Sequence, residues 1–292
     1  MWVVKNKKIF IGISSVLVLL SIVSIVVFGL NFGIDFKGGS LVEASYPDGR
    51  PSIEVIQGAL SSDFANANIQ TSGETGIILK SRDLTEGERV QLFKDLTIGG
   101  TYKITEDSFT SIGPSLGKEM TRKATMALII VALCIILFIA YAFRKVSKQV
   151  SSWKYGIVAV IALIHDVTLT AGVFAILGHF IGFELDALFV VALLTVLGLS
   201  VNDTIVVFDR IRENLLVHKN DEFGAIVGDS LRQTVVRSLG TSISVIIVLV
   251  ALVIWGPAST KYFALALAFG MFFGTYSSIF LASPMLVLLE KK

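Results

Sequence analysis

The sequence predicts an α-helical polytopic membrane protein: six transmembrane helices, with one small α+β (ferredoxin-like) extracytoplasmic domain between the first and the second. Three observations carry this. The chain is 53% hydrophobic over 292 residues with a mean hydropathy of +0.76, outside the range of ordinary soluble domains. Six apolar runs are each long enough to cross a hydrocarbon core of ~30 Å. A stretch of alternating strand and helix patterns separates the first run from the others. The division expected is therefore 1–30 for the first span, 31–122 for the outer domain and 123–292 for the remaining five spans.

The first run, Ile9–Leu30, follows Lys5, Lys7 and Lys8. A secretory signal peptide has a shorter apolar core and a small-residue cleavage site, so this run reads as a retained helix. The other spans are Ala124–Phe143, Tyr155–Ile181, Ala187–Phe208, Ser238–Gly256 and Tyr262–Leu289. Lys and Arg in short loops set orientation. With both ends of the chain in the cytoplasm, the cytoplasmic segments hold Lys5, Lys7, Lys8, Arg144, Lys145, Lys148, Lys154, Arg210, Arg212, Lys219, Arg232, Arg237, Lys291 and Lys292. The two short loops opposite hold only Lys261.

In the outer domain, Ser40–Tyr46 reads as a strand and Pro51–Ser61 as a helix with proline near its first turn. Ala67–Thr71 and Gly76–Ser81 form a hairpin in which Gly73 permits the turn. Thr85-Glu86-Gly87-Glu88 has the form of a capping box opening a helix to about Leu96, and Thr101–Ile112 is the last strand. The order βαββαβ is that of a ferredoxin-like unit. Further on, Phe223, Val227, Leu231 and Val235 recur every fourth residue, the pattern of an interfacial amphipathic helix leading into the fifth span.

The stretch with most chemical content is Gly198–Asn214, GLSVNDTIVVFDRIREN. It puts Asp203 inside an apolar run, where an ionisable side chain costs at least ~2.5–3.5 kcal/mol. Ser200 and Thr204 share its face at helical spacing, and Asn202 adjoins it. These are the candidate lining residues. Arg237 borders the same end of the next span and is the candidate counter-charge, although a basic anchor at a span end explains it equally. Asp166, beside His165, lies eleven residues into its span from Tyr155, ~16 Å at 1.5 Å per residue. It is either a relay group or the cap of a polar helix contact.

Ala266, Gly270, Gly274, Ser278 and Ala282 fall at successive fourth positions of the sixth span. Such a ridge of small residues lets helices approach closely, within the chain or against a partner, and Pro284 is expected to loosen the last turn.

Several classes are excluded as expectations. Net charge is only +2, so no global basic field points to nucleic acid. Cys134 is the single cysteine, and His165, His179 and His218 show no metal spacing, so no metal is expected. Gly113–Glu119, GPSLGKE, is one residue short of a phosphate loop and has Glu119 where a hydroxyl must bind Mg²⁺. Neither a catalytic residue nor a cofactor is expected.

GLSVNDTIVVFDRIREN resembles the signature of the SecF proteins, the protein-export subunits of the SecD/SecF family in the resistance–nodulation–division superfamily. Phe32–Ser40, FGIDFKGGS, is similar to a second signature of that family, with Gly33, Asp35, Gly38 and Gly39. Leu163–Val167 and Ser111–Gly117 match further elements in the expected order. Leu199 stands where many members carry an aromatic residue. The resemblance implies a partner, SecD, completing a pseudo-symmetric twelve-helix unit, together with the SecYEG channel, YajC and a preprotein on the extracytoplasmic side. It implies a bacterial cytoplasmic membrane and use of the proton-motive force, with Asp203 as the acid of the proton path and Arg237 as its basic residue. Outside the resemblance, Gly33–Gly39 reads as a turn where the chain leaves the membrane. Two other classes remain open on the residues alone: a proton-coupled exporter of small molecules or lipid, and a scaffold that transports nothing.

Overall fold

The structure, a computed structural model, describes residues 2–142, 151–218 and 221–290. Of the cations used for orientation, Arg144, Lys145, Lys148, Lys219, Lys291 and Lys292 lie outside the described residues.

The helical elements that begin the chain are α1 (Trp2–Lys5), α2 (Lys7–Phe28) and the single turn α3 (Ile34–Lys37). The outer unit then runs β1 (Gly39–Ser45), α4 (Ile53–Ala59), β2 (Asn68–Ser72), β3 (Gly76–Ser81), α5 (Glu86–Leu96) and β4 (Thr105–Ile112). Next come α6 (Pro114–Ala142), α7 (Ser152–Ile181), α8 (Ala187–Val217), α9 (Phe223–Trp255), α10 (Ala258–Ser277) and α11 (Ser283–Leu288). Among the described residues, six helices are long and apolar enough to cross a membrane. Residue contacts group Phe32–Ala124 as one compact unit and the rest of the described chain as another.

In the outer unit the four strands form one antiparallel sheet in the order β2-β3-β1-β4. Together with the βαββαβ sequence, that is the ferredoxin-like arrangement read from the pattern. Alternation decides the faces: Val42, Ala44 and Tyr46 point inward, opposite Ile77 and Leu79 of the neighbouring strand. Ile56 from α4 and Leu92 and Leu96 from α5 close the core. The Tyr46 hydroxyl donates to the Leu96 carbonyl at 3.1 Å, and burial pushes its pKa up to about 12.

The GG segment takes more structure than a turn. Gly38 and Gly39 have φ of 82° and 140°, a region that glycine alone enters freely. A Cβ on Gly39 would lie 2.6 Å from the Ser81 carbonyl oxygen, and one on Gly117 would lie 2.8 Å from that of Phe36. The two family-like segments, 32–40 and 111–117, therefore pack backbone against backbone where α6 starts. Pro114 opens α6 ten residues ahead of the expected span, a position that suits proline because its missing N–H would be unpaired there anyway.

Within the helical unit, two apolar clusters lie either side of a polar layer. One gathers Tyr155, Val158 and Ala162 of α7, Phe208 and Ile211 of α8, Phe223, Val227 and Leu231 of α9, and Leu286 of α11. The other gathers Phe174, Phe183, Phe189, Val196 and Ala266. The expected interfacial helix is thus corrected. The segment 223–237 is the first part of one continuous helix, α9, and its apolar stripe is buried in the protein's own core. A fourth-residue stripe fits a membrane surface or a neighbouring helix equally. Here α8 continues past Phe208 to Val217 and supplies the neighbour, with Asn214 Nδ2 donating to Ser230 Oγ at 2.8 Å.

The small-residue ridge faces inward. Gly270 sits where a Cβ would penetrate the Val196 side chain, and a Cβ on Gly274 would lie 2.9 Å from Ser200 Cβ. Its partner is α8 of the same chain. Beyond Ser277 the helix widens into a π-helical turn, Ser278–Ala282, before Pro284. Proline has no N–H to return to the preceding turn, and Ser283 Oγ instead donates to the Ser278 carbonyl at 2.9 Å.

The start of α5 is a complete capping box. Glu88 N–H donates to Thr85 Oγ1 at 3.4 Å and Thr85 N–H to Glu88 Oε2 at 2.8 Å, while Arg82 pairs with Glu88. The Arg82 hydrogen bond, then those from Thr85, hold the Glu88 carboxyl down to about 2 from 4.5. A carboxyl depressed by folding stabilises the fold fully above its unfolded value and loses that contribution as pH falls through its folded value. Amide protection over the first turn of α5, corrected for intrinsic exchange rate, is therefore expected to fall between about pH 4.5 and about pH 2. In Glu88→Gln it should be low and nearly flat across that window.

Candidate functional site

The polar layer is built from four helices whose ends are fixed locally. Gly182 ends α7 in the left-handed conformation, with φ 70° and ψ 20°. Asp186 then caps α8 by accepting from Phe189 N–H at 2.8 Å. The connection between them is short, so α7 and α8 are antiparallel neighbours. Asn31 at the end of α2 pins it, its carbonyl accepting from Leu185 N–H at 2.7 Å.

Asp166 on α7 is completely buried and collects three partners. His165 Nδ1 lies 2.8 Å from Oδ1, Ser200 Oγ donates to Oδ2 at 2.5 Å, and Ser277 Oγ donates to the same oxygen at 2.9 Å. The carboxyl thereby ties together α7, α8 and α10. A carboxylate has acceptor sites for all three.

Asp203, one turn beyond Ser200 on α8, is 5% exposed. Its Oδ2 accepts from Ser242 of α9 and Thr275 of α10, both at 3.3 Å, while those two hydroxyls lie 2.5 Å apart. Two hydroxyls carry two hydrogens. When one donates to the other, a single hydrogen is left for the carboxylate. A protonated Asp203 can instead donate to either hydroxyl. This cluster therefore accommodates both protonation states without moving a heavy atom far.

The structure joins Asp203, Asp166 and Ser200 in one layer, with Thr204 beside them donating to the Ser200 carbonyl at 3.2 Å. Arg237 and Asn202 are placed elsewhere. Arg237 is exposed and acts on Asp203 only through space. Asn202 is exposed on the opposite face of α8, so it does not line the acid cluster. That face shows Leu188, Val191, Thr195, Gly198 and Asn202 at alternating steps of three and four. It is a heptad-like stripe with three small or polar residues on an apolar helix. Gly33, Asp35, Gly38 and Gly39 belong to the outer unit, in the backbone packing described above.

Sequence reasoning missed Ser242, Thr275 and Ser277, which donate to the two acids. The signal available was a run of hydroxyls in otherwise apolar spans, at 238, 242, 275, 277 and 278. Among the described residues, no group of His, Cys, Asp and Glu is placed to hold a metal ion.

Comparison with known proteins places this architecture. Residues 94–292 match the family model for the C-terminal region of the protein export membrane proteins SecD/SecF, and residues 23–46 match that for the SecD/SecF GG motif. The chain belongs to the SecD/SecF family. A protein translocase subunit SecF of Thermobaculum terrenum is 41% identical, the alignment covering 99% of this chain and 94% of the relative. That of Anaerolinea thermophila is 36% identical over 98% and 92%. The crystal structure of SecDF, a translocon-associated membrane protein from Thermus thermophilus, superposes with a TM-score of 0.83 at 28% identity over 98% of this chain. SecDF in its super-membrane-facing form gives 0.70. This chain spans 38% of the SecDF chain in each case. The GG match falls on the segment that packs against Gly117.

Removing a hydrogen-bond donor from a buried carboxyl costs about 1–3 kcal/mol. Ser200→Ala, Ser277→Ala and Thr275→Val are each expected to lower stability by about that amount in thermal unfolding of the detergent-solubilised protein. Asn202→Ala should leave the unfolding of the isolated chain within about 0.5 kcal/mol, as for other exposed positions.

Proposed function

We propose that this chain is a SecF-type subunit of the accessory complex of the Sec preprotein translocase. It pairs with SecD and uses the proton-motive force to promote protein translocation across the bacterial cytoplasmic membrane, with both termini in the cytoplasm. Its partners are then SecD, the SecYEG channel and YajC, with a preprotein on the extracytoplasmic side. It acts as a transport subunit and not as an enzyme. The observation that carries this reading is the Asp203 cluster, a buried acid held by hydroxyls of two other helices.

In this reading a proton arriving at Asp203 reverses the hydrogen bonding that links α8, α9 and α10. The ionised acid accepts from one of Ser242 and Thr275 while the other donates to that hydroxyl; the neutral acid donates to one of the two. Arg237 supplies a through-space counter-charge, so loss of the anion also removes its attraction. Two arrangements of the helices then differ in their affinity for a proton, and the gradient biases one over the other. Each charge crossing the membrane supplies ~2.3 kcal/mol per 100 mV.

The exposed stripe of α8 is the face for SecD. Its residues sit at the seam spacing of paired helices, and small residues favour close helix contact in lipid. The SecDF match supports this, because that chain is much longer than this one.

Asp203→Asn should insert to the wild-type level yet lose the protonophore-sensitive part of reporter export in cells. Export equal to wild type would make the acid structural and favour the scaffold reading. Gly198→Leu and Asn202→Leu should reduce the SecD that co-purifies with this chain several-fold while leaving its own unfolding temperature unchanged. Undiminished recovery of SecD would place the interface elsewhere.

A further inference from the structure

The same layer contains a titratable group that the two-acid reading does not use. His165 is 2% exposed. Its Nδ1 faces Asp166 Oδ1 at 2.8 Å, and its Nε2 is buried with no hydrogen-bond partner among the described residues. The ring stacks on Tyr276 of α10, with centroids 5.9 Å apart and planes inclined by 16°. The Tyr276 hydroxyl accepts from Ser14 Oγ of α2 at 3.3 Å. Leaving a buried polar nitrogen unpaired is costly, and few native structures keep one that serves no purpose.

We propose that His165 is a proton-holding residue in series with Asp166 and Asp203, its Nε2 taking up a proton and its Nδ1–H passing one to Asp166. The inference rests on the proton-coupled reading above. With Nδ1–H committed to Asp166, Nε2 carries the lone pair. Protonation there forms an N–H bond and converts a neutral imidazole beside a carboxylate into an imidazolium–carboxylate pair of zero net charge. A buried pair of that kind is tolerable where an isolated charge is not. Release toward the acids breaks the Nδ1–H bond as Asp166 Oδ1 takes that proton, leaving the Nε2–H tautomer, so the proton balance closes without any other reactant.

The two clusters share their helices: Asp166 Oδ2 accepts from Ser200 of α8, one turn before Asp203, and from Ser277 of α10, two residues after Thr275. The ionisable groups facing the imidazole are Asp166 on its own helix and Tyr276 from α10. α8 contributes Asp203 one turn from Ser200, and α2 contributes the Ser14 hydroxyl. Of this set, only an imidazole offers two ring nitrogens, one able to hold Asp166 while the other takes up a proton.

The test has two arms, both on the full chain with SecD in lipid bilayers. The first is ¹⁵N NMR of histidine-labelled protein, with His165 assigned by replacing His179 and His218. His165 is expected to be an Nδ1–H tautomer that converts to imidazolium within pH 5–8, with a midpoint that shifts in Asp166→Asn. The second is reporter export with and without a protonophore in His165→Asn, which keeps an N–H toward Asp166 but cannot titrate. Loss of the protonophore-sensitive component at normal membrane levels supports the proposal. A His165 that stays in one neutral form across that range overturns it even where Asp203→Asn abolishes coupling. Wild-type coupling in Asp203→Asn removes the reading beneath it as well.

Discussion

Two carboxyl groups inside an apolar helix bundle are the constraint on which the rest of this structure depends. A carboxylate without partners costs several kcal/mol at membrane depth, so the surrounding helices must deliver donors to fixed points. Hydroxyls perform this task because they are small and their one hydrogen can turn between the acid and a carbonyl of their own helix. Thr275 Oγ1 lies 3.3 Å from Asp203 Oδ2 and 3.0 Å from the Met271 carbonyl. The helices carrying them thus stay continuous and apolar outside while presenting polar atoms inside.

Close packing follows from that demand. Ser200 reaches Asp166 because Gly274 leaves room beside it. A methyl group there would sit 3.1 Å from the Ser200 hydroxyl oxygen, which is the atom that donates to the acid. The ridge of Ala266, Gly270, Gly274, Ser278 and Ala282 is therefore part of the acid site as well as a packing surface. The π-helical turn at 278–282 continues the same logic. It begins directly after Ser277, and such turns often accompany functional positions within long helices.

Much of this is legible in the sequence. The six apolar runs mark the spans, and the βαββαβ alternation marks the outer sheet, down to the capping box at Thr85. Asp203 and Asp166 stand out because a carboxyl in an apolar run is too costly to persist without a task. What is not legible depends on which helix faces which. The stripe of Phe223, Val227 and Leu231 has one spacing whether it meets lipid or α8. The ridge on α10 has one spacing whether it meets SecD or Val196. Arg237 and Asp203 border the same end of adjacent spans, which suggests a pair, but depth does not fix rotation. Five residues of α9, about 140° of rotation, separate exposed Arg237 from Ser242, which points at the acid. Asn202 departs from expectation for the same reason, since adjacent residues on a helix are ~100° apart and cannot share a face.

The two acids differ in a way that assigns them different work. His165, Ser200 and Ser277 converge on Asp166 at distances of 2.5–2.9 Å, with the Ser277 hydroxyl also 3.1 Å from the Gly274 carbonyl. Protonating that carboxyl would turn a hydrogen toward a donor and require at least one partner to rotate away. Asp203 meets two hydroxyls at 3.3 Å which are themselves 2.5 Å apart, and its bonding reverses by rotation of O–H groups alone. The first arrangement ties three helices to one carboxyl, and the second lets a proton arrive and leave by rotation of O–H groups. A proton-driven element uses both, because a contact that changes transmits force only against contacts that hold. α8 and α10 carry both clusters, so the fixed contact holds these two helices together while the reversible one joins them to α9. Under the proton-coupled reading, α9 is therefore the helix whose attachment changes with each proton.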